Sequence, residues 1–247
     1  DRGTINGAIN EFPPISAGRP GLVYNTNTLE LLDEMPIGNN NGSGIARQPM
    51  RYQLRPVGYG SNADFYVYVS HYKASTGATN VARRNVEAQA IRSDADSLGE
   101  GARIIYAGDF NVYTSSEPMY QTLMSSGNGQ AFDPANAPNW GSASFRYTHT
   151  QSPTNSNCND GTLVTGGVDD RFDFQLVTGE LNSNEGLSYI GSSYRAFGNN
   201  GSTYNDPINV GNTSGIASNP IRRHKIATGH VHPFSGSGPR SSGTRTG

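Results

Sequence analysis

Residues 103–111 read RIIYAGDFN, and this stretch decides the fold class. The apolar and aromatic run at 104–107, which has no polar alternation, is typical of a strand that is buried on both faces of a sheet. The chain then leaves this strand at Asp109 and Asn111, two polar residues spaced two apart. Because alternate residues of a strand share a face, we expect both side chains on one side of the strand exit.

The segments around this strand predict an α/β domain. Residues 50–59 (MRYQLRPVGY) and 65–74 (FYVYVSHYKA) alternate apolar and polar side chains, which predicts neighbouring antiparallel strands. Residues 81–98 (VARRNVEAQAIRSDADSL) place apolar side chains at helical spacing, and residues 169–181 (DDRFDFQLVTGEL) indicate another core strand. Strands and helices in this order favour an α/β sandwich over an all-β domain.

Shorter segments complete this pattern. Residues 21–25 and 29–35 predict the two strands of a hairpin. Residues 115–127 predict a helix, since Pro118 suits a first turn and the two serines that open the segment can cap free backbone amides. Residues 128–167 are expected to form a long loop.

Length, charge and cysteine content limit the class of protein. The 247 residues suit one domain, predicted at 1–233, and the Ser- and Gly-rich residues 234–247 predict a disordered tail. The formal net charge of -2 gives no global reason for tight binding to a phosphate backbone. Cys158 is the only cysteine, which excludes an intrachain disulfide, and no apolar run reaches the ~20 residues of a membrane span. The abundance of Asn, Ser, Thr and Gly favours a secreted or cell-surface protein.

Polar residues at the predicted strand ends are candidates for chemistry. Asp109 can bind a hard cation or orient a water, and Asn111 can hold a phosphoryl oxygen without adding charge. A turn in which both residues bond to nearby backbone is the alternative. His71 and Lys73 share a face and could stabilise charge on a bound phosphoryl group, although a His at a strand end is also a common structural residue. Asp173 lies between two phenylalanines, where a carboxylate is costly unless it is paired or functional.

Two further residues are candidates for contact with substrate. Arg171 can bind phosphate as a bidentate donor, or it can pair with Asp169 or Asp170. His149, in the long loop, is either a contact to substrate or an ordinary loop residue.

Taken in order, these segments resemble the endonuclease/exonuclease/phosphatase superfamily over residues 22–177. SHYKA at 70–74 resembles its strand-terminal His segment, and RRNVEAQAIR at 83–92 resembles the helix behind it. IIYAGDFN at 104–111 resembles its GD-x-N signature, and DRFDFQLV at 170–177 resembles its later Asp-bearing strand. The resemblance implies a deoxyribonuclease I-like sandwich of two mixed β-sheets flanked by helices, which we expect to be incomplete at its N-terminal edge.

The same resemblance implies an activity and its partners. It implies a metal-dependent hydrolase of phosphoester bonds that cleaves phosphodiesters by a metal-activated water, with Mg²⁺ or Mn²⁺ as cofactor. A nucleic acid or a phospholipid head group is the expected kind of substrate, and a monomer is expected. The segment FGNNG at 197–201 is similar to members from secreted bacterial proteins.

Roles for individual residues follow from the resemblance. Asp109 would orient or activate the attacking water and bind the metal. His71 would hydrogen-bond or protonate a phosphoryl oxygen, with Asp173 assisting it. Asn111 would contact the scissile phosphate, and His230 matches the position of the superfamily's final catalytic His.

Two departures from the superfamily's pattern favour a second hypothesis. The Gln-Glu segment that carries the metal-binding Glu has no close counterpart, and Glu11 is the early carboxylate in the most similar position. The final Ser-Asp-His segment is also altered, because His224, His230 and His232 have no Asp beside them. The alternative is therefore a fragment or a catalytically incomplete relative that acts as a surface binding module. A third hypothesis, an adhesin-type β protein, does not explain the helix predicted at 81–98.

Overall fold

The computed structural model describes residues 20–151, 167–183, 186–208 and 210–211, and the backbone of residues 5–8. The described strands are β1 (Ile5–Ala8), β2 (Leu22–Asn25), β3 (Leu29–Pro36), β4 (Met50–Pro56), β5 (Phe65–His71), β6 (Ile104–Asp109), β7 (Ala131–Phe132) and β8 (Asp173–Thr178). The described helices are α1 (Ala78–Ser97), α2 (Pro118–Met124) and α3 (Gly179–Asn182), with 3-10 helices at Ser61–Ala63 and Ala143–Thr148. Within these ranges, no helix has the length and apolar content to span a membrane.

A six-stranded mixed sheet in the order β3-β4-β5-β6-β8-β7 forms the centre of the fold. β5 and β6 are parallel, whereas the other neighbouring strands of this sheet are antiparallel. A parallel pair needs a crossover connection, and the 20-residue helix α1 supplies it. The predicted α/β class, with a mixed sheet and helices, is confirmed.

The predicted hairpin of residues 21–25 and 29–35 is wrong. β2 pairs with β1 in a two-stranded antiparallel sheet, whereas β3 pairs with β4 in the large sheet. The turn between β2 and β3, where the backbone N–H of Thr28 donates to the carbonyl oxygen of Asn25 at 3.0 Å, passes the chain from one sheet to the other. In the described ranges the second sheet is therefore this antiparallel pair. The predicted tail at 234–247 lies outside them.

The predicted helices are present, with different starts. α1 begins at Ala78, three residues before the predicted start. α2 has Pro118 in its first turn, as predicted, but Glu117 rather than a serine is its N-cap residue. The predicted loop at 128–167 contains β7 and the second 3-10 helix.

Two apolar clusters cover the two faces of the large sheet. Tyr68 and Tyr106 belong to the cluster that includes buried residues of α1 and α2. Val67 and Ile105 belong to the opposite cluster, which includes Leu181 of α3. Because side chains alternate along a strand, these clusters fix which face each residue at the strand ends occupies.

Candidate active site

Three polar side chains lie in one row across neighbouring strands. The register places His71 opposite Asp109 on the parallel pair β5–β6, and Asp109 opposite Asp173 on the antiparallel pair β6–β8. His71 lies four residues after Val67, and Asp109 lies four residues after Ile105, so both occupy the sheet face opposite α1 and α2. The fold therefore assembles residues that come from three separate sequence segments.

Gly108 allows β6 to approach β5 at this row. Its φ is +135°, and a Cβ at this position would lie 1.9 Å from the carbonyl oxygen of Ser70. Any L side chain would therefore strain the backbone and push the two strands apart. This close approach explains why a glycine precedes Asp109.

The turn after β6 orients the carboxylate of Asp109. Asn111 has a φ of +48°, and its backbone N–H donates to Oδ1 of Asp109 at 3.0 Å. Its side-chain Nδ2 donates to the carbonyl oxygen of Tyr72 at 3.1 Å. The local turn that we considered as an alternative is thus present, and it holds Asp109 at the site rather than away from it. Asn111 is buried, and its predicted contact with phosphate stays a prediction.

His71 and Asp109 lie side by side. Nε2 of His71 is 3.5 Å from Oδ2 of Asp109, and their side chains are 42% and 36% exposed, so a solute can reach both groups. Burial and the positive charge of Arg47 lower the pKa of His71 below its usual value, which keeps the imidazole mainly neutral at pH 7. The resemblance implied that Asp173 assists His71. The carboxylate at ion-pair distance from His71 is that of Asp109, because the strand register places Asp109 between His71 and Asp173.

The two carboxylates of the row have raised pKa values. Burial raises the pKa of Asp109 to about 6, against the opposing effects of its hydrogen bond from Asn111 and the charge of Arg47. Burial, followed by the negative charge of Asp109, raises the pKa of Asp173 to about 7, while Thr150 opposes the shift by a hydrogen bond. Two acids that resist ionisation beside each other form a site that favours a bound cation.

Arg47 belongs to this site, and the sequence patterns did not predict it as a site residue. It lies in the loop between β3 and β4, and its Nη1 donates to the carbonyl oxygens of His71 and Tyr72 at 3.3 Å each. Its charge acts on the pKa values of His71 and Asp109. No periodicity or local motif marks an arginine in such a loop, so only the tertiary contact identifies it.

Lys73, predicted to bind substrate, lies two residues beyond the end of β5. Its Nζ donates to the carbonyl oxygen of Ala74 at 2.9 Å. The predicted contact between this ammonium group and a substrate stays a prediction.

The structure contradicts the predicted phosphate-binding role of Arg171. Its side chain is fully buried, and its Nη1 and Nη2 donate to the carboxylate of Asp133 at 2.8 and 3.0 Å. Nε and Nη2 also donate to the hydroxyl of Tyr194, at 3.0 and 2.7 Å, and the guanidinium lies 4.1 Å from the ring centroid of Phe174. These partners occupy the guanidinium, so Arg171 stabilises the fold.

The histidines outside the row have different positions. His149 is fully buried, and its Nε2 contacts the carbonyl oxygen of Trp140, so it is a structural residue and not a contact to substrate. Burial lowers its pKa. His230 and Glu11 lie outside the described residues, as does Cys158.

The donor set at the row allows a limited test of metal binding. In the ranges that the structure describes, no three or more His, Cys, Asp or Glu side chains are grouped to hold a metal ion. Mg²⁺ usually keeps several waters and binds through one or two carboxylates, however, and the neighbouring Asp109 and Asp173 meet that smaller requirement. A divalent cation beside them would also offset the cost of ionising two partly buried acids.

Comparisons with known proteins give structural similarity at low sequence identity. No protein-family model matches the chain, and no curated protein matches it. The catalytic domain of human Nocturnin is similar with 15% identity and a TM-score of 0.43, over 67% of this chain and 52% of that one. An endonuclease/exonuclease/phosphatase family protein from Bacteroides thetaiotaomicron is similar with 13% identity and a TM-score of 0.43, over 64% and 53%.

A mannosyl-6-phosphatase from Bacteroides thetaiotaomicron VPI-5482 is similar with 14% identity and a TM-score of 0.44, over 64% of this chain and 56% of that chain. The chain thus spans a little over half the length of these structures.

Proposed function

We propose that this chain is a metal-dependent hydrolase of phosphoester bonds that acts on phosphodiesters. The observation that carries the proposal is the row of His71, Asp109 and Asp173 across three adjacent strands, at the ends of β5 and β6 and the start of β8. An accessible imidazole and two carboxylates with raised pKa values are groups that can position water and transfer protons.

Each residue of the site has a role in this proposal. Asp109, fixed by the turn to Asn111, would orient the attacking water and accept its proton. His71, mainly neutral at pH 7, would hydrogen-bond a phosphoryl oxygen. Asp109 and Asp173 would hold Mg²⁺ or Mn²⁺, and the bound ion would offset negative charge on the phosphoryl group.

Local positive charge supports an anionic substrate despite the net charge of -2. Arg47 is fixed beside the row by its two carbonyl contacts, and its guanidinium would attract a phosphoryl group. Lys73 would add a second cation near the end of β5. One or two local cations suit a short phosphoester better than a long contact with a polyanion.

A second candidate function is a surface binding module that lacks catalysis. It is favoured by the absence, in the described part of the chain, of a larger metal-holding group. A binding module would take up a phosphoester without turning it over. Hydrolysis assays therefore separate the two candidates.

The test is hydrolysis of bis(4-nitrophenyl) phosphate and of plasmid DNA, with Mg²⁺, Mn²⁺ or a chelator. We expect metal-dependent turnover that falls by at least about 100-fold in Asp109→Asn, because the variant cannot accept the proton. Asp33→Asn is the matched control, since Asp33 is 51% exposed on β3, and it should retain full activity. Turnover that survives in Asp109→Asn, or that is absent from the unaltered chain, would contradict the proposal.

A further inference from the structure

Tyr113 lies shortly after the end of β6, the central strand that carries Asp109 of the candidate site. It follows Asn111 by two residues, and its ring is partly exposed. Phe172, against which its ring packs, is the residue before Asp173 of the candidate site. Burial raises the pKa of the Tyr113 hydroxyl, and the positive charge of Arg84 opposes this shift. No part of the proposed hydrolysis uses this ring.

The ring of Tyr113 is held in place by its neighbours. It packs edge-to-face against Phe172, with ring centroids 4.9 Å apart, and the guanidinium of Arg84 lies 5.6 Å from its centroid. The backbone N–H of Tyr113 donates to Oε1 of Glu117 at 2.9 Å, and Oε2 of Glu117 accepts from Nη2 of Arg84 at 2.7 Å. These contacts within the chain are enough to fix the ring before any substrate binds.

The support of the ring also connects it to the strand that carries His71. Arg84 is fully buried, and its Nη1 donates to the carbonyl oxygens of Lys73 and Ser75 at 2.8 and 3.0 Å. These two carbonyls belong to the segment that follows β5. Arg84 therefore links the ring of Tyr113 to the segment that follows β5.

We propose that Tyr113 is a specificity-determining residue that stacks against an aromatic group of the substrate, such as a nucleobase, while the phosphoester lies at Asp109. This inference rests on the proposed function for the position of the phosphoester. A ring that is already ordered loses little conformational freedom on binding, and every nucleobase offers a flat face to an aromatic side chain.

The experiment measures binding with Ca²⁺ present, which keeps a divalent cation available to Asp109 and Asp173, and the NMR spectra show that the probes stay intact during the titration. The probes are dithymidine phosphate and the abasic dinucleotide with the same sugar-phosphate backbone, and the dissociation constants come from NMR titrations. We expect the unaltered chain to bind the base-bearing probe roughly tenfold more tightly. Tyr113→Leu should reduce this ratio to about one, whereas Tyr113→Phe should keep it because the ring remains.

Tyr59→Leu is the matched control. Tyr59 is a partly exposed tyrosine that precedes β5, a strand of roughly 20 Å that has His71 at its other end. The Tyr59→Leu variant should bind both probes with the same dissociation constants as the unaltered chain. Thermal unfolding of each variant shows whether any loss of binding follows from loss of the fold.

The possible results test the role of Tyr113 separately from the proposed hydrolase activity. Equal affinity for the two probes, equal weakening of both by Tyr113→Leu, or no binding to either would overturn it. Tighter, Tyr113-dependent binding of dihexanoyl phosphatidylcholine than of dithymidine phosphate would overturn it in favour of a lipid substrate. A base-dependent ratio in a chain that hydrolyses nothing with Mg²⁺ would support the role of Tyr113 and reject the hydrolase.

Discussion

Glu87 is the residue whose position is least expected from its chemistry. It lies on α1 with its side chain fully buried, and neither carboxylate oxygen accepts a hydrogen bond from the residues that the structure describes. Burial raises its pKa to about 8, although the charges of Arg47 and Arg83 act in the opposite direction. The group is therefore mainly protonated at neutral pH, which avoids the larger cost of an unpaired buried charge.

This position predicts a pH-dependent stability. The folded protein keeps the Glu87 proton up to about pH 8, whereas the unfolded chain releases it near the ordinary glutamate pKa of 4.5. Between these values the folded state binds more protons, so the contribution of Glu87 to stability falls as pH rises. The advantage of Glu87→Gln over the unaltered protein in free energy of unfolding should therefore increase by about 4 kcal/mol between pH 5 and pH 9.

Urea denaturation of both proteins at several pH values measures this difference. The comparison between the two proteins cancels the titration of all other groups that the substitution leaves unchanged. A difference that stays constant from pH 5 to pH 9 would show that Glu87 titrates normally in the folded protein.

At the scale of elements, the contact between β5 and β6 determines the geometry of the site. The row of His71 and Asp109 exists only because the two parallel strands approach closely at Gly108. The side chain of an L residue at this position would meet the backbone of Ser70, which cannot move without disturbing the strand pairing.

Gly108→Ala should therefore destabilise the protein and separate His71 from Asp109. We expect a loss of about 3 kcal/mol or more, because steric overlap adds to the strain of a positive φ. Gly58→Ala is the matched control, since Gly58 has a φ of +84° and a Cβ added there would have no atom of the described residues within 4 Å. It should cost only about 1 kcal/mol from backbone strain.

Thermal and urea unfolding of the two variants test this prediction. The difference between them isolates the steric term, since both replace a glycine of positive φ by alanine. Equal destabilisation by the two substitutions would mean that β5 and β6 can separate at no cost.

At the scale of the whole molecule, Arg171 joins parts of the chain that are distant in sequence. Its guanidinium links Asp133, which follows β7, to Tyr194, which lies beyond α3. The side chain is completely buried among these partners. The contacts of Arg171 with Asp133 and Tyr194 therefore connect the edge strand β7 to the segment that follows the last described helix.

Arg171→Met should lower the free energy of unfolding by about 3–5 kcal/mol, because it leaves the buried Asp133 carboxylate without its counter-charge. The double variant Arg171→Met with Asp133→Leu should recover part of this loss, since no unpaired charge remains. Arg146→Met, at an exposed arginine, should change stability by less than about 0.5 kcal/mol. Urea unfolding gives all three values, and a loss in Arg171→Met no larger than that in Arg146→Met would contradict this account.

The sequence by itself determined the α/β class, the helix between β5 and β6, the buried strand β6 and the polar exit at Asp109. These features can be predicted because the periodicity of apolar residues within a segment follows from the face that the segment buries. Turn residues, in addition, indicate the local backbone conformation. The resemblance of the segments added the expectation of a phosphoester site.

Only the tertiary structure decided which distant groups meet. It paired β3 with β4 instead of β2, placed Arg47 at the site, buried Arg171 against Asp133, and set His71 beside Asp109. An arginine that binds phosphate and one that neutralises a buried carboxylate look alike in sequence, because the difference lies in a partner far along the chain. The physical reason is that burial and ion pairing depend on the packing of whole elements, whereas periodicity depends on one element at a time.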